Sequence, residues 1–182
     1  MKLYIVQYRG IGMVSRILKW KTWSIWSHSG MLFHFDALGN VNGNDWVLAE
    51  AWEKVGVDLV EGKTMQEVLS KNHHVGTPVD IFETPCSSTQ VADIYGFAKA
   101  HEGENYDWKG IVGFIARKPF EESGKWFCSE YAHAACKHGE LLLQREASYK
   151  VNPNHIGISP VIDPYSHLIT EDYDRLCSHK IS

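Results

Sequence analysis

The sequence has no long apolar run, no block of like charges and few cysteines. No stretch is long and apolar enough to span a bilayer, and the apolar part of residues 1–10 is too short for a signal-peptide core. Lysine and arginine total 18 against 22 aspartate and glutamate, a balance that does not favour nucleic-acid binding. We therefore expect a cytoplasmic protein that has no transmembrane segment and binds no nucleic acid.

Cysteine spacing excludes two further classes of protein. Four irregularly spaced cysteines do not resemble a disulfide framework, so free thiols are expected (Cys86, Cys128, Cys136 and Cys177). Zinc-type Cys-x-x-Cys and His-Glu-x-x-His pairs are absent. His133, Cys136 and His138 follow Cys128 closely, but at about 100° per helical residue their side chains diverge and cannot share one ion. The sequence thus predicts no metal and no cofactor.

What is present suits one globular domain spanning residues 1–182, since 44% of the residues are hydrophobic and 12% aromatic. Apolar patterning and caps predict the following strands and helices. The strands are 3–8, 26–35, 45–52, 55–60 and 75–82, and the helices are 13–20, 64–70, 87–101 and 126–138. The turn-rich residues 39–44 predict a hairpin, and the tail after Leu143 reads as mostly irregular. Without strict βαβ alternation, the fold class is α+β, an antiparallel sheet packed against helices.

Residues 125–131, KWFCSEY, are the most informative stretch because they place Cys128 at the start of a predicted helix. The positive end of the helix dipole stabilises a thiolate, the form that attacks a carbonyl carbon. Free N–H groups of the same turn suit an oxyanion, although Glu130 is able to cap them instead. Taken alone, Cys128 also fits a buried core residue, as Cys136 does.

Two further residues suit a partnership with such a thiol. His28 lies at the entry to an apolar strand, among small residues that leave its ring accessible. His34 is on the same strand but about 20 Å away, so only one of the two can reach a given cysteine. Glu50 stands inside an apolar run, where a carboxylate needs a partner such as a histidine on the neighbouring strand.

The order of these motifs resembles the permuted branch of the NlpC-like cysteine peptidases, the YiiX-like papain-fold amidases related to lecithin:retinol acyltransferase-like proteins. The matching segments are residues 27–30 (SHSG), Glu50-Ala51 and residues 127–130 (FCSE). Secondary matches are residues 105–108 (NYDW) and 158–160 (ISP). One departure is Tyr8-Arg9-Gly10, where the family often has Gly-Asp.

The resemblance implies a circularly permuted papain-like fold and a cysteine hydrolase of amidase or peptidase type. Cys128 would be the nucleophile, His28 the base and Glu50 the group that orients the imidazole. The implied substrate is a peptide or amino-acyl amide, including cell-wall fragments. Two alternatives stay open: a thiol acyltransferase or esterase acting on a lipid acyl group, and a non-catalytic binding module.

Three tryptophans lead directly to His28, and they bear on the choice of substrate. Trp20, Trp23 and Trp26 fit either core packing or an apolar wall of the cleft beside His28. No basic amphipathic helix or long apolar surface segment is recognisable in the sequence. This favours the amide over the lipid ester.

Overall fold

A six-stranded antiparallel sheet forms the centre of the molecule. The computed structural model describes residues 1–35, 45–109 and 124–178. The strands are β1 Lys2–Tyr8, β2 His28–His34, β3 Trp46–Trp52, β4 Gly56–Gly62, β5 Pro78–Glu83 and β8 Asp163–Ile169. Their order across the sheet is β4-β3-β2-β1-β5-β8. Two short strands, β6 Asn105–Tyr106 and β7 Lys125–Trp126, pair in parallel beside it.

Helices cover both faces of this sheet. They are α1 Met13–Thr22, α2 Met65–Ser70, α3 Ser88–Ala100, α4 Cys128–His138, α5 Pro153–Gly157 and α6 Tyr173–Ser178, with a 3₁₀ turn at Ser148–Lys150. Alternate residues of each strand point to opposite faces. Leu3 and Ile5 of β1 therefore join the core under α3 and α4, whereas Val6 and Tyr8 join the core under α2.

The antiparallel α+β architecture predicted from the sequence is confirmed. β2 and β3 form the predicted antiparallel pair, and β4 extends the sheet beyond β3. The turn predicted for residues 39–44 lies outside the described residues. The side chains of Thr64 and Ser87 cap α2 and α3 as their spacing indicates.

The prediction of a mostly irregular tail is wrong. Residues 163–169 form β8, which pairs with β5 along the edge of the sheet. The three prolines of the tail obscured this strand because proline lacks an N–H donor, yet Pro164 is accommodated on an edge strand. Several boundaries also move by two or three residues; for example, β5 begins at Pro78 and α4 begins at Cys128.

A half-buried polar cluster fixes the segment that leads to the site. Asp80 accepts two hydrogen bonds from Arg9 at 2.8 and 2.9 Å and one from the Trp26 indole at 2.5 Å. His167 of β8 approaches the same carboxylate to 2.8 Å. This cluster ties residue 26 to β1, β5 and β8, so β2 enters the sheet at a fixed position. Across the described ranges, no helix is long and apolar enough to cross a membrane.

Candidate active site

His28 is the first residue of β2, directly opposite Tyr8 on β1. Its imidazole is buried and contacts three rings, with centroid separations of 5.5 Å to Tyr8, 5.1 Å to Trp52 and 5.1 Å to His73. His34 lies at the other end of β2, where its ring contacts that of Trp46. His28 is therefore the β2 histidine held in an aromatic cage, which restricts the rotation of its ring.

Glu50 on β3 provides the carboxylate behind this histidine. It is fully buried, and its Oε2 lies 2.7 Å from Nε2 of His28 and 3.0 Å from Nε2 of His73. An ionised carboxylate only accepts hydrogen bonds, so both Nε2 atoms donate to it. With Nε2 engaged in this way, Nδ1 is the nitrogen of His28 left for a thiol.

Asn72 and His73 complete the surroundings of Glu50, and the sequence analysis missed both. Asn72 Nδ2 donates to Glu50 Oε1 at 3.0 Å and to Asp58 Oδ2 at 3.2 Å. His73 stacks on Tyr8 with ring centroids 3.6 Å apart. A buried carboxylate has two oxygens to satisfy, so one histidine was never sufficient for Glu50. The polar Asn72-His73 pair between α2 and β5 was the available signal.

Cys128 is the first residue of α4, and its side chain is almost fully buried. The preceding residue, Phe127, has no side-chain acceptor to cap the helix, and the first intrahelical bond runs from Tyr131 N–H to the Phe127 carbonyl. The N–H groups at the start of α4 thus lack intrahelical acceptors. Ser129 anchors this turn by donating to the Val151 carbonyl at 2.7 Å.

The charges of the cluster follow from burial and from these contacts. Burial lowers the pKa of His28, but the charge of Cys128 and hydrogen bonds to Cys128 and Glu50 outweigh burial and raise that pKa to about 10. Burial opposes ionisation of Glu50, yet His73 and His28 hold its pKa well below the usual range. Burial also lowers the pKa of His73, despite its contact with Glu50. The arrangement favours a cationic His28, an anionic Glu50 and a neutral His73.

The other thiols lie in different surroundings. Cys136 is buried in the core, as the sequence analysis predicts, and burial raises the pKa of its thiol. Burial also raises the pKa of the half-buried Cys86. All four cysteines are free, as expected from their spacing. Of these four, Cys128 is the one whose charge contributes to the pKa of a histidine.

A cleft of about 470 Å³ opens onto His28 and His73. Its wall combines charged and aromatic side chains: Trp52, Glu53, Lys54, Lys71 and Tyr106. A smaller apolar pocket lies next to it, lined by Cys128 together with Leu18, Phe127 and Pro153. Leu18 of α1 lines both cavities, so α1 borders the pocket at the thiol as well as the cleft.

The remaining sequence motifs differ in their relation to the site. Tyr106, from the 105–108 motif, lines the cleft, and the charge of Cys128 contributes to raising its pKa, after burial. Ser159, from the 158–160 motif, donates to the Leu143 carbonyl at 2.7 Å. Trp20 and Trp23 are 75% and 92% exposed, so the idea that they pack in the core or line the cleft is wrong for both.

One group of side chains in the described ranges has the geometry to hold a metal ion. It consists of His28, Glu50 and His73, whose ligand atoms all lie within 4.8 Å of one another. This group differs from the histidines and cysteines around α4 that the sequence suggested as possible ligands. There His133 hydrogen-bonds Ser148 and the Gln144 carbonyl instead, as expected for a helix whose side chains diverge.

No protein-family model and no curated protein matches the sequence. Among solved structures, the chain is similar to that described as metalloprotein yiiX from Escherichia coli O157:H7, DUF1105. The TM-score is 0.62 at 15% sequence identity, and the match covers 91% of this chain and 96% of that chain. This likeness confirms the YiiX-like α+β fold that the sequence motifs predicted, and it is consistent with a papain-like fold.

Proposed function

We propose that this protein is a cysteine-dependent hydrolase that cleaves amide bonds through a thioester acyl-enzyme. The observation that carries the proposal is the His28 imidazole, hydrogen-bonded to buried Glu50 and close enough to Cys128 for that thiol to contribute to raising the imidazole pKa. A thiol at a helix N-terminus beside an oriented imidazole is the arrangement that nucleophilic catalysis requires. Glu50 and His73 are positioning residues in this scheme.

The proposed reaction has two halves, each with a balanced proton transfer. In the attacking form, the proton from the Cys128 thiol is held by His28, which is the cationic form favoured above, and the sulfur attacks the carbonyl carbon of the amide. N–H groups at the start of α4 donate to the developing oxyanion. His28 returns the proton to the leaving nitrogen, the C–N bond breaks, and a thioester remains. Water, deprotonated by His28, then releases the acid and restores the thiol.

The cleft wall supports a peptide or amino-acyl substrate. Lys54 and Lys71 face the cleft beside one acidic group, Glu53. Two ammonium groups suit a carboxylate on the substrate, a group that short peptides and cell-wall peptide fragments carry and simple lipid esters lack. Trp52 and Tyr106 add flat apolar surface for a neighbouring side chain.

The test compares wild type with Cys128→Ser on short peptide amides, cell-wall peptide fragments and long-chain acyl esters. We expect amine release from an amide that is lost in Cys128→Ser, with an acyl adduct on Cys128 detected by mass spectrometry. Cys128-dependent turnover of esters alone would establish the acyltransferase or esterase alternative. Absence of both turnover and adduct would leave a binding module.

A metal centre is the second candidate, favoured by the His28, Glu50 and His73 cluster and by the description of the similar structure as a metalloprotein. Two imidazole nitrogens and one carboxylate oxygen suit Zn²⁺. Binding would replace the present hydrogen bonds, because both Nε2 atoms must lose their protons to act as ligands. It would also take the orienting group away from His28.

Zinc titration distinguishes the two candidates. If the cluster serves catalysis by Cys128, added Zn²⁺ inhibits hydrolysis, and a chelator restores it. If it is a resident metal centre, the purified protein contains about one ion per chain, and His73→Asn abolishes that content. Measurement of metal content and of turnover on the same preparation decides between them.

A further inference from the structure

The outer surface of α1 and its flanks is unusually apolar for an exposed segment, which corrects the expectation from the sequence that no such surface segment exists. Five of the thirteen exposed large hydrophobic side chains in the described ranges lie within residues 11–25. They are Ile11, Ile17, Trp20, Trp23 and Ile25, and we call them the α1 patch. Such a concentration of exposed apolar area marks an interaction surface.

The charged residues of the chain segment that carries the α1 patch have one sign. Residues 1–35 contain five lysines and arginines and no aspartate or glutamate, although the whole chain has a net charge of −4. Arg16 is exposed and Lys21 half-exposed beside the indoles. Arg9 is occupied by Asp80 and Lys19 by the Gly10 carbonyl, so Arg16 and Lys21 are the basic side chains of this segment best placed to meet a partner.

The backbone at Trp23 is a second, independent observation. Trp23 ends α1 in the left-handed conformation, with φ of 52°. Glycine is the usual residue there, because any Cβ costs energy in this conformation. Here the position holds an indole that is 92% exposed and so gains little from packing. The fold alone gives no reason for this residue, whereas a contact outside the chain does.

We propose that the α1 patch binds the surface of an anionic phospholipid bilayer. Indoles and aliphatic side chains flanked by basic residues form the surface that enters the boundary between headgroups and acyl chains. Anionic headgroups complement the uniformly basic residues 1–35. The inner side of α1, through Leu18, lines the pocket at Cys128, so binding places the cleft entrance at the membrane. The proposal does not depend on turnover by Cys128.

The test is flotation with vesicles of phosphatidylcholine alone and of phosphatidylcholine with about a third phosphatidylglycerol. We expect wild type and Cys128→Ser to bind the anionic vesicles equally, and both to be released by high salt. Trp23→Gly should weaken binding about tenfold, the loss expected when about 60 Å² of apolar surface no longer enters the bilayer. Its melting temperature should stay the same or rise, because glycine relieves the left-handed residue.

Charge variants complete the test. Arg16→Gln and Lys21→Gln should each weaken binding about fivefold. The matched controls, Lys99→Gln on α3 and Leu142→Ser in the segment that follows α4, should bind as wild type does. Failure of wild type to float with anionic vesicles, or equal binding by Trp23→Gly, would overturn the proposal. A dimer that Trp23→Gly dissociates, without vesicle binding, would assign the patch to a second copy of the chain.

Discussion

At the scale of single residues, Glu50 organises the site because its buried carboxylate accepts hydrogen bonds from several side chains at once. It accepts from His28, His73 and Asn72, so the negative charge is satisfied from three directions. Ionisation inside an apolar strand is otherwise costly. The same bonds fix the His28 ring with Nδ1 toward the thiol. The position of Glu50 in an apolar run therefore predicted a histidine partner. It did not predict that a second histidine and an asparagine would also bond to the carboxylate.

Cys128 should be the most reactive of the four thiols. Burial raises the pKa of Cys86 and Cys136, whereas Cys128 begins α4 and its charge contributes to raising the pKa of His28. Limited alkylation of folded protein at neutral pH, followed by peptide mass spectrometry, should label Cys128 first. Labelling of Cys86 or Cys177 while Cys128 remains unmodified would show the assignment to be wrong.

His28→Ala should lower kcat/KM on the order of 10³-fold, the usual contribution of a general acid and base. Glu50→Gln should keep measurable turnover, since the amide oxygen still accepts from Nε2–H of His28. Wild-type activity in His28→Ala would remove His28 from the mechanism. Unfolding of Glu50→Gln, followed by circular dichroism, would instead assign Glu50 a mainly structural role.

The dependence of kcat/KM on pH tests the interaction between His28 and Glu50 more directly. With the pKa of His28 raised to about 10, the imidazolium that protonates the leaving amine persists until alkaline pH. kcat/KM should therefore fall as the pH rises through about 10. Removing the negative charge of Glu50 disfavours the imidazolium, so Glu50→Gln should move this limb to lower pH. If the alkaline limb of the kcat/KM profile is unchanged in Glu50→Gln, Glu50 does not raise the pKa of His28.

At the scale of elements, α4 begins with Cys128, and Ser129 holds the first turn of α4 in place. Ser129→Ala removes the hydrogen bond to Val151 and should lower the free energy of unfolding by about 1–3 kcal/mol. Because the turn carries Cys128, kcat should fall as well. Denaturant unfolding and steady-state kinetics measure the two effects on one preparation.

Ser159→Ala is the matched control, since its hydroxyl makes an equally short bond to the Leu143 carbonyl and is almost as buried. It should cost similar stability without changing kcat. Equal loss of kcat in both serine variants would mean that activity follows global stability. In that case the first turn of α4 has no specific role.

At the scale of the whole molecule, the buried cluster makes stability sensitive to acid. The pKa of Glu50 is lowered in the fold, so its contribution is present above the unfolded value and is lost as the pH falls. His73 acts in the same direction, because the fold keeps it neutral while the unfolded chain takes up a proton. The free energy of unfolding should fall on acidification below about pH 6.5.

Chemical denaturation between pH 7 and 4 checks this expectation. Glu50→Gln should show a shallower decline at the acid end than wild type, whatever its stability at pH 7. Glu140→Gln, which removes an exposed carboxylate, should follow the wild-type slope. Parallel curves for all three proteins would mean that Glu50 does not contribute to the acid sensitivity.

The sequence by itself determined five of the six strands of the sheet, the caps of two helices and the three residues proposed for the site. Period-two patterning, the Thr64 and Ser87 caps and the cysteine at a helix start are local features, so a single chain segment displays each of them. Nothing local revealed β8, because its prolines are tolerated only by virtue of an edge position. Strand pairing joins residues far apart in the chain, and only the folded structure fixes it.

Tertiary structure alone brought His73 and Asn72 to Glu50 and left Trp20 and Trp23 exposed. Contacts of this kind depend on how α2, β1 and β3 pack, and no spacing within one segment encodes them. The exposure of Trp20 and Trp23 likewise could not be predicted from their own chain segment. Their size predicts burial in general, but the position of α1 at the rim of the cleft decided which indoles face solvent.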